Sequence, residues 1–194
     1  MSVLSPPRHP LIDRAIADAR TWCAGQVIDD RPALAHAIQV AVTLGQHLPN
    51  VAPELAAAAL LHDSPEFAPP DVDLDAILTI RYGREVTRVV RALQAEHASL
   101  DSPEPPIVVD DEPVLVISTA DKIVAFSSLL HRARLSGDIA AFFGSRPALL
   151  RLLPYFRACQ LAGAGHVPPA MSHRLGTVLD LLDQATTTAP GAQP

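Results

Sequence analysis

The chain has 194 residues, 48% of them hydrophobic, with 15 lysines and arginines against 21 aspartates and glutamates and a formal net charge of -6. That length suits one ordinary domain with a substantial core, and the acidic balance argues against nucleic acid as the main partner, because gripping a phosphate backbone needs concentrated positive charge. Cys23 and Cys159 stand alone without CxxC spacing, which predicts two reduced thiols rather than a zinc ribbon or a disulfide framework. Met1 to Pro10 has no apolar h-region, and no run of about 18 uncharged apolar residues exists, so a cytoplasmic chain with no signal peptide and no membrane span is expected.

Nineteen prolines segment the sequence, since each tends to open or close a helix. Between them the apolar period is helical nearly throughout, which predicts an all-α single domain over residues 10–185, with an N-terminal extension at 1–9 and a low-complexity, disordered tail at 186–194. From Pro10 to about Ala24, the residues Leu11, Ala15, Ile16, Ala19, Trp22 and Cys23 mark a first amphipathic helix. Gln26 to Asp30 is a connector, with Asp30 placed to cap a second helix that has Pro32 in its first turn and carries His36. Asn50 to Pro53 resets the chain, and Glu54 to Asp63 forms a third helix. Two pieces joined near Gly83 follow. Asp101 to Pro113 reads as a flexible loop able to border the site. Pro113 opens a long helix to about Ser136, and two more helices run from Pro147 to about Ala162 and from about Ala170 to Gln184. No strand and no internal repeat is expected.

The chemistry concentrates at Leu60-Leu61-His62-Asp63-Ser64-Pro65-Glu66. An imidazole and a carboxylate at the end of an apolar helix are costly unless something binds them. A divalent cation accounts for both, because imidazole nitrogen and carboxylate oxygen are the ligands Mn, Fe, Zn or Co sites use. Two more polar groups interrupt apolar segments: His36 among Leu34, Ile38, Ala41 and Val42, and Asp121 within Val114 to Val124. The expected metal ligands are therefore His36, His62, Asp63 and Asp121, from three helices of one bundle. Only His97 falls between the His-Asp pair and Asp121, which favours one metal over two; His9, His47, His131, His166 and His173 are expected at the surface or behind the ligands. Glu66, close to the site without being needed as a ligand, is the expected general base. Whether it follows His62 on a continuing helix or a break at Ser64 frees it stays open. Lys122, the one lysine of the chain, is expected either to contact phosphate or to form a structural salt bridge. Arg81, Arg84, Arg132 and Arg134 are weaker phosphate-binding candidates.

The order His, His-Asp, Asp resembles the HD superfamily of metal-dependent phosphohydrolases. Within it, Arg31-Pro32-Ala33-Leu34-Ala35-His36, Ala58-Ala59-Leu60-Leu61-His62-Asp63, Tyr82-Gly83-Arg84-Glu85-Val86 and Ala120-Asp121-Lys122 are similar to segments of the (p)ppGpp hydrolases of the RelA/SpoT type and their small metazoan homologues, over roughly residues 10–135. The resemblance implies an HD helical bundle and one divalent metal, with Mn as the leading choice. It also implies removal of phosphate or pyrophosphate from a small nucleotide, while the acidic charge and the lack of an apolar span leave no nucleic acid or membrane expected as partner; homo-oligomer formation stays open. Three positions depart from the pattern: Phe67 stands where those hydrolases have a second acid, Ala125 where they have asparagine, and Gly25-Gln26 where they are basic. The single-acid form is also similar to the HD-type deoxynucleoside 5'-monophosphatases, for which Phe67, Phe126 and Tyr82 would supply a base pocket. A nucleotide-binding HD module with weakened catalysis is the third alternative.

Overall fold

Helix boundaries fall where prolines and caps put them. In the computed structural model, which describes residues 3–187, prolines open α1 (Pro10–Trp22), α3 (Pro53–Leu61), α9 (Pro147–Gly163) and α10 (Pro169–Thr187), where a missing N–H costs nothing. Aspartate side chains cap α5 (Leu74–Tyr82, Asp73), α7 (Glu112–Leu135, Asp111) and α8 (Ile139–Gly144, Asp138) by accepting a backbone N–H two or three positions into the helix. The remaining helices are α2 (Ala33–His47), α4 (Ser64–Phe67) and α6 (Arg84–Ser99). Gly83 joins α5 to α6 at φ 91°, a backbone conformation that suits glycine.

The fold is all-α and forms one domain. Its axis is α7, which packs against α2, α3, α6 and α10. Among the described residues α7 alone is long and apolar enough to cross a membrane, but 61% of that stretch is buried inside the bundle. Ile117, Ala120, Ile123 and Leu129 of α7 meet Val40 and Leu44 of α2 and Leu175, Leu179 and Leu182 of α10 in one core. Helix α3 is buried on every side, as six consecutive residues, Ala56 to Leu61, show; alanine's small side chain lets α1, α2 and α6 approach it closely.

Five expectations are revised. A short antiparallel hairpin replaces the strandless connector: β1 (Val27–Ile28) pairs with β2 (Arg31–Pro32) across Asp29 and Asp30, both at positive φ, a conformation aspartate tolerates in two-residue turns. Asp30 is therefore a turn residue and not a helix cap; Pro32 occupies that position, and Asp30 pairs with Arg132 at 3.1 Å. Helix α8 was not expected. The loop between α6 and α7 lies against Tyr155 and Glu96 and away from the His-Asp cluster, with Pro106 accepting from the Tyr155 hydroxyl at 3.1 Å; only Leu100 at its start reaches the pocket there. Finally, α10 continues through Thr186 and Thr187, and the rest of the expected tail lies outside the described residues. The N-terminal extension also joins the core, since Val3 packs against Gly45 so tightly that a Cβ there would sit 3.1 Å from it.

Candidate metal centre

The His-Asp pair sits at a break between helices. α3 ends at Leu61, His62 closes it, and Asp63 takes the N-cap position of α4, with Pro65 in the first turn. An aspartate at an N-cap ordinarily accepts a backbone N–H, yet Asp63 makes no capping bond. Its Oδ2 is buried and has no hydrogen-bond partner at all. The break also settles Glu66: Pro65 starts α4, so Glu66 leaves the α3 register while staying within reach of the cluster.

His62 is held in one orientation. Its Nδ1 donates to the Ala59 carbonyl at 2.8 Å, which places the ring's free lone pair on Nε2. That nitrogen is buried and unpartnered like Asp63 Oδ2, and the two lie 3.2 Å apart. From α2, His36 Nε2 lies 2.8 Å from Asp121 Oδ1 and 3.8 Å from Asp63 Oδ2; from α7, Asp121 Oδ1 lies 3.8 Å from His62 Nε2. The ligand atoms of His36, His62 and Asp121 all fall within 4.8 Å of one another. Donors about 2.1 Å from a shared cation stand about 3.0–3.4 Å apart in octahedral or tetrahedral geometry, close to these spacings. Two neutral imidazoles and two carboxylates carry a charge of about -2, the complement of a divalent ion. The orphaned acceptors, the spacing and the charge all fit a metal, so the chain holds a group of His and Asp side chains that could bind one.

His97 belongs to the cluster as well, beyond the four ligands expected from sequence. It projects from α6 into the same cluster, with Nδ1 3.5 Å from Glu66 Oε1 and 3.9 Å from Asp63 Oδ1, and Nε2 3.5 Å from Asp121 Oδ2. The signal was present in its spacing: Val86, Val89, Val90 and Leu93 form the buried stripe of α6, and His97 is the next position of that stripe.

Charges in the cluster are strongly coupled. Burial works against ionised Asp121, but the surrounding imidazoles of His36, His62 and His97 outweigh it and hold that carboxyl well below the usual range. Burial likewise opposes the charged form of His97, and Asp121 and Glu66 overcome it, raising the ring to about 10. His62 is raised by Asp63 and Asp121 against its own burial. Glu66 is lowered, chiefly by neighbouring His97, and so is ionised near neutrality. Protons therefore compete for the place of a cation, and metal affinity should fall as pH is lowered.

Lys122 lines the pocket beside the cluster, but its ammonium is taken up by other partners. Its ammonium donates to Glu96 Oε1 at 2.7 Å and Ser118 Oγ at 2.8 Å, the salt-bridge alternative left open by its sequence position. Arg81 pairs with Asp18, Arg132 with Asp30, and Arg84 and Arg134 are exposed. Of the other histidines, His9 caps α1, His131, His166 and His173 are exposed, and His47 is half-buried on α2, apart from the cluster. Tyr82 donates to Asp18 and lies away from the pocket beside the cluster, whose walls include Phe126 and Phe156 in edge contact 4.9 Å apart. Both cysteines are free. A larger cavity, about 420 Å³, shares no residue with this pocket and is lined mainly by apolar side chains such as Leu55, Val86 and Val116.

No family model matches the chain, and no curated protein matches it.

Proposed function

We propose that the chain is a metal-dependent phosphohydrolase of the HD superfamily, acting on a phosphate ester or pyrophosphate of a small nucleotide with manganese as the working metal. One observation carries this reading: two imidazoles and two carboxylates from three separate stretches of chain converge, with His62 Nε2 and Asp63 Oδ2 buried and unpartnered between them. His36, His62, Asp63 and Asp121 would hold the ion. When bound, such an ion polarises a phosphoryl oxygen and lowers the pKa of a water. The pocket, about 180 Å³, has room for an ion and a phosphoryl group but is smaller than the ~300 Å³ at which ligand pockets usually begin, so the nucleoside would rest on its rim.

Glu66 suits the role of base. Its Oε1 is held 3.5 Å from His97 Nδ1, it is ionised at neutral pH, and its side chain is 46% exposed toward the pocket mouth, where a water could be met. His97 fixes that carboxylate and returns a positive charge to a site crowded with acids. Glu66→Gln should lower kcat by about 10²- to 10⁴-fold while leaving manganese binding within a few-fold of wild type, measured by steady-state assay beside calorimetry.

A second reading, a 5'-monophosphatase, is favoured by the single acid, with Phe67 following Glu66, and by the aromatic wall of Phe126 and Phe156. The test is a panel of nucleoside mono-, di- and polyphosphates with Mn, Fe, Zn or Co supplied. Release of phosphate or pyrophosphate from one nucleotide class supports the phosphohydrolase and selects between the two readings. Thermal stabilisation by nucleotides with no turnover on any member would replace the enzyme with a binding module.

A further inference from the structure

Arg31 lies on β2, five residues before His36, and its Nη2 donates to His36 Nδ1 at 2.7 Å. A guanidinium has donors only, so that ring nitrogen accepts, and the single proton of a neutral imidazole then sits on Nε2. Asp121 Oδ1 lies 2.8 Å from that nitrogen. Arg31, His36 and Asp121 thus form a relay of close polar contacts.

The relay conflicts with ligation. Were His36 to hold an ion through Nε2, that nitrogen would carry no proton, and the single proton of the neutral ring would sit on Nδ1 instead. An Nδ1–H cannot face a guanidinium N–H, and Arg31 has to move. Its Nε is already buried without an acceptor, and burial together with neighbouring Arg132 makes its charge costly where it lies. Its side chain lines the same pocket as Glu66 and His97, where the ammonium of Lys122 is already spent on Glu96.

The geometry points to Arg31 as a residue that metal binding displaces from His36 and makes available to grip the substrate's phosphoryl oxygens. This rests on the phosphohydrolase reading. It makes the hairpin, and not Lys122, the source of the cation that meets phosphate, in the forked donor geometry for which arginine is suited. It also sets an order, metal first and phosphate second, with Arg31 opposing the first event and serving the next.

The test is Arg31→Gln, whose side-chain oxygen can accept from Nδ1–H and so favours the ligating tautomer. Calorimetry with manganese alone, then with inorganic phosphate on the manganese-loaded protein, should show the ion bound about tenfold tighter than in wild type and phosphate about tenfold weaker. Arg31→Met should follow the same two directions, and serves if the glutamine variant fails to fold by circular dichroism. Arg31→Lys, which keeps a donor and the charge, should stay near wild type for both ligands. Unchanged or weaker manganese binding in Arg31→Gln and Arg31→Met overturns the displacement, and unchanged phosphate binding overturns the grip. Wild-type protein that takes up no manganese defeats the phosphohydrolase reading along with this one, whereas normal uptake with indifferent Arg31 variants defeats this inference alone.

Discussion

Asp63→Ala should abolish stable metal binding and lower kcat/KM on any hydrolysed nucleotide by more than about 10³-fold. Asp63 is buried, caps nothing, and lies with one oxygen near His62 and His36 and the other near His97. No neighbouring carboxylate is free to replace it: Asp121 is already shared among the imidazoles, and Glu66 is tied to His97. Folding itself should suffer little. Without a cation the cluster confines two buried carboxylates with three imidazoles, and removing one acid relieves as much desolvation as it loses attraction. Differential scanning calorimetry separates the two effects. Manganese at about 100 times its Kd should stabilise wild type by about 2.7 kcal/mol, roughly 5–10 °C for a domain of this size. Asp63→Ala should show the metal-free midpoint of wild type and no shift on adding the ion.

The second large effect lies one residue from a ligand and concerns stability. Lys122 is buried on α7, and its charge is compensated by Glu96 of α6 with help from Ser118. Glu96→Gln leaves that ammonium in the core with no carboxylate, which should cost about 3–5 kcal/mol in urea unfolding. Lys122→Met combined with Glu96→Gln should recover most of the loss, because the stranded charge is then gone. The pair also predicts a pH dependence. Burial acts to raise Glu96, but Lys122 outweighs it and the folded pKa lies below the ordinary 4.5. A depressed carboxylate contributes stability that is present above its unfolded pKa and lost as pH falls through the folded one. Burial acts to lower Lys122, Glu96 wins again, and the folded value is above 10.5. That contribution is present below the unfolded value and lost as pH rises through the folded one. The acid limb of the wild-type stability curve should therefore be flatter in Glu96→Gln. A Lys122→Met protein with wild-type stability and greatly reduced turnover would instead return Lys122 to phosphate contact.

Much of this was legible from residue order alone, for a physical reason. His36, His62 and Asp121 each interrupt an apolar helical stripe, and a polar group repeated on a buried face announces a buried partner. His97 obeys the same rule on α6, but its stripe is flanked by exposed charges such as Glu85 and Arg88, which mask its register. Lys122 could be placed only with α6 in view, since its partner Glu96 is 26 residues away. The hairpin escaped because its strands have two residues each, too few to show alternation. Arg31 escaped with it, as no helical period connects it to His36.

The most direct measurement is an anomalous-scattering map from crystals of the wild-type chain grown with manganese and recorded at the manganese edge. One peak about 2.1–2.3 Å from His36 Nε2, His62 Nε2, an oxygen of Asp63 and an oxygen of Asp121, with Arg31 turned away from His36, is the predicted result. A map with no peak among these four side chains, or with manganese bound only elsewhere on the surface, contradicts the account.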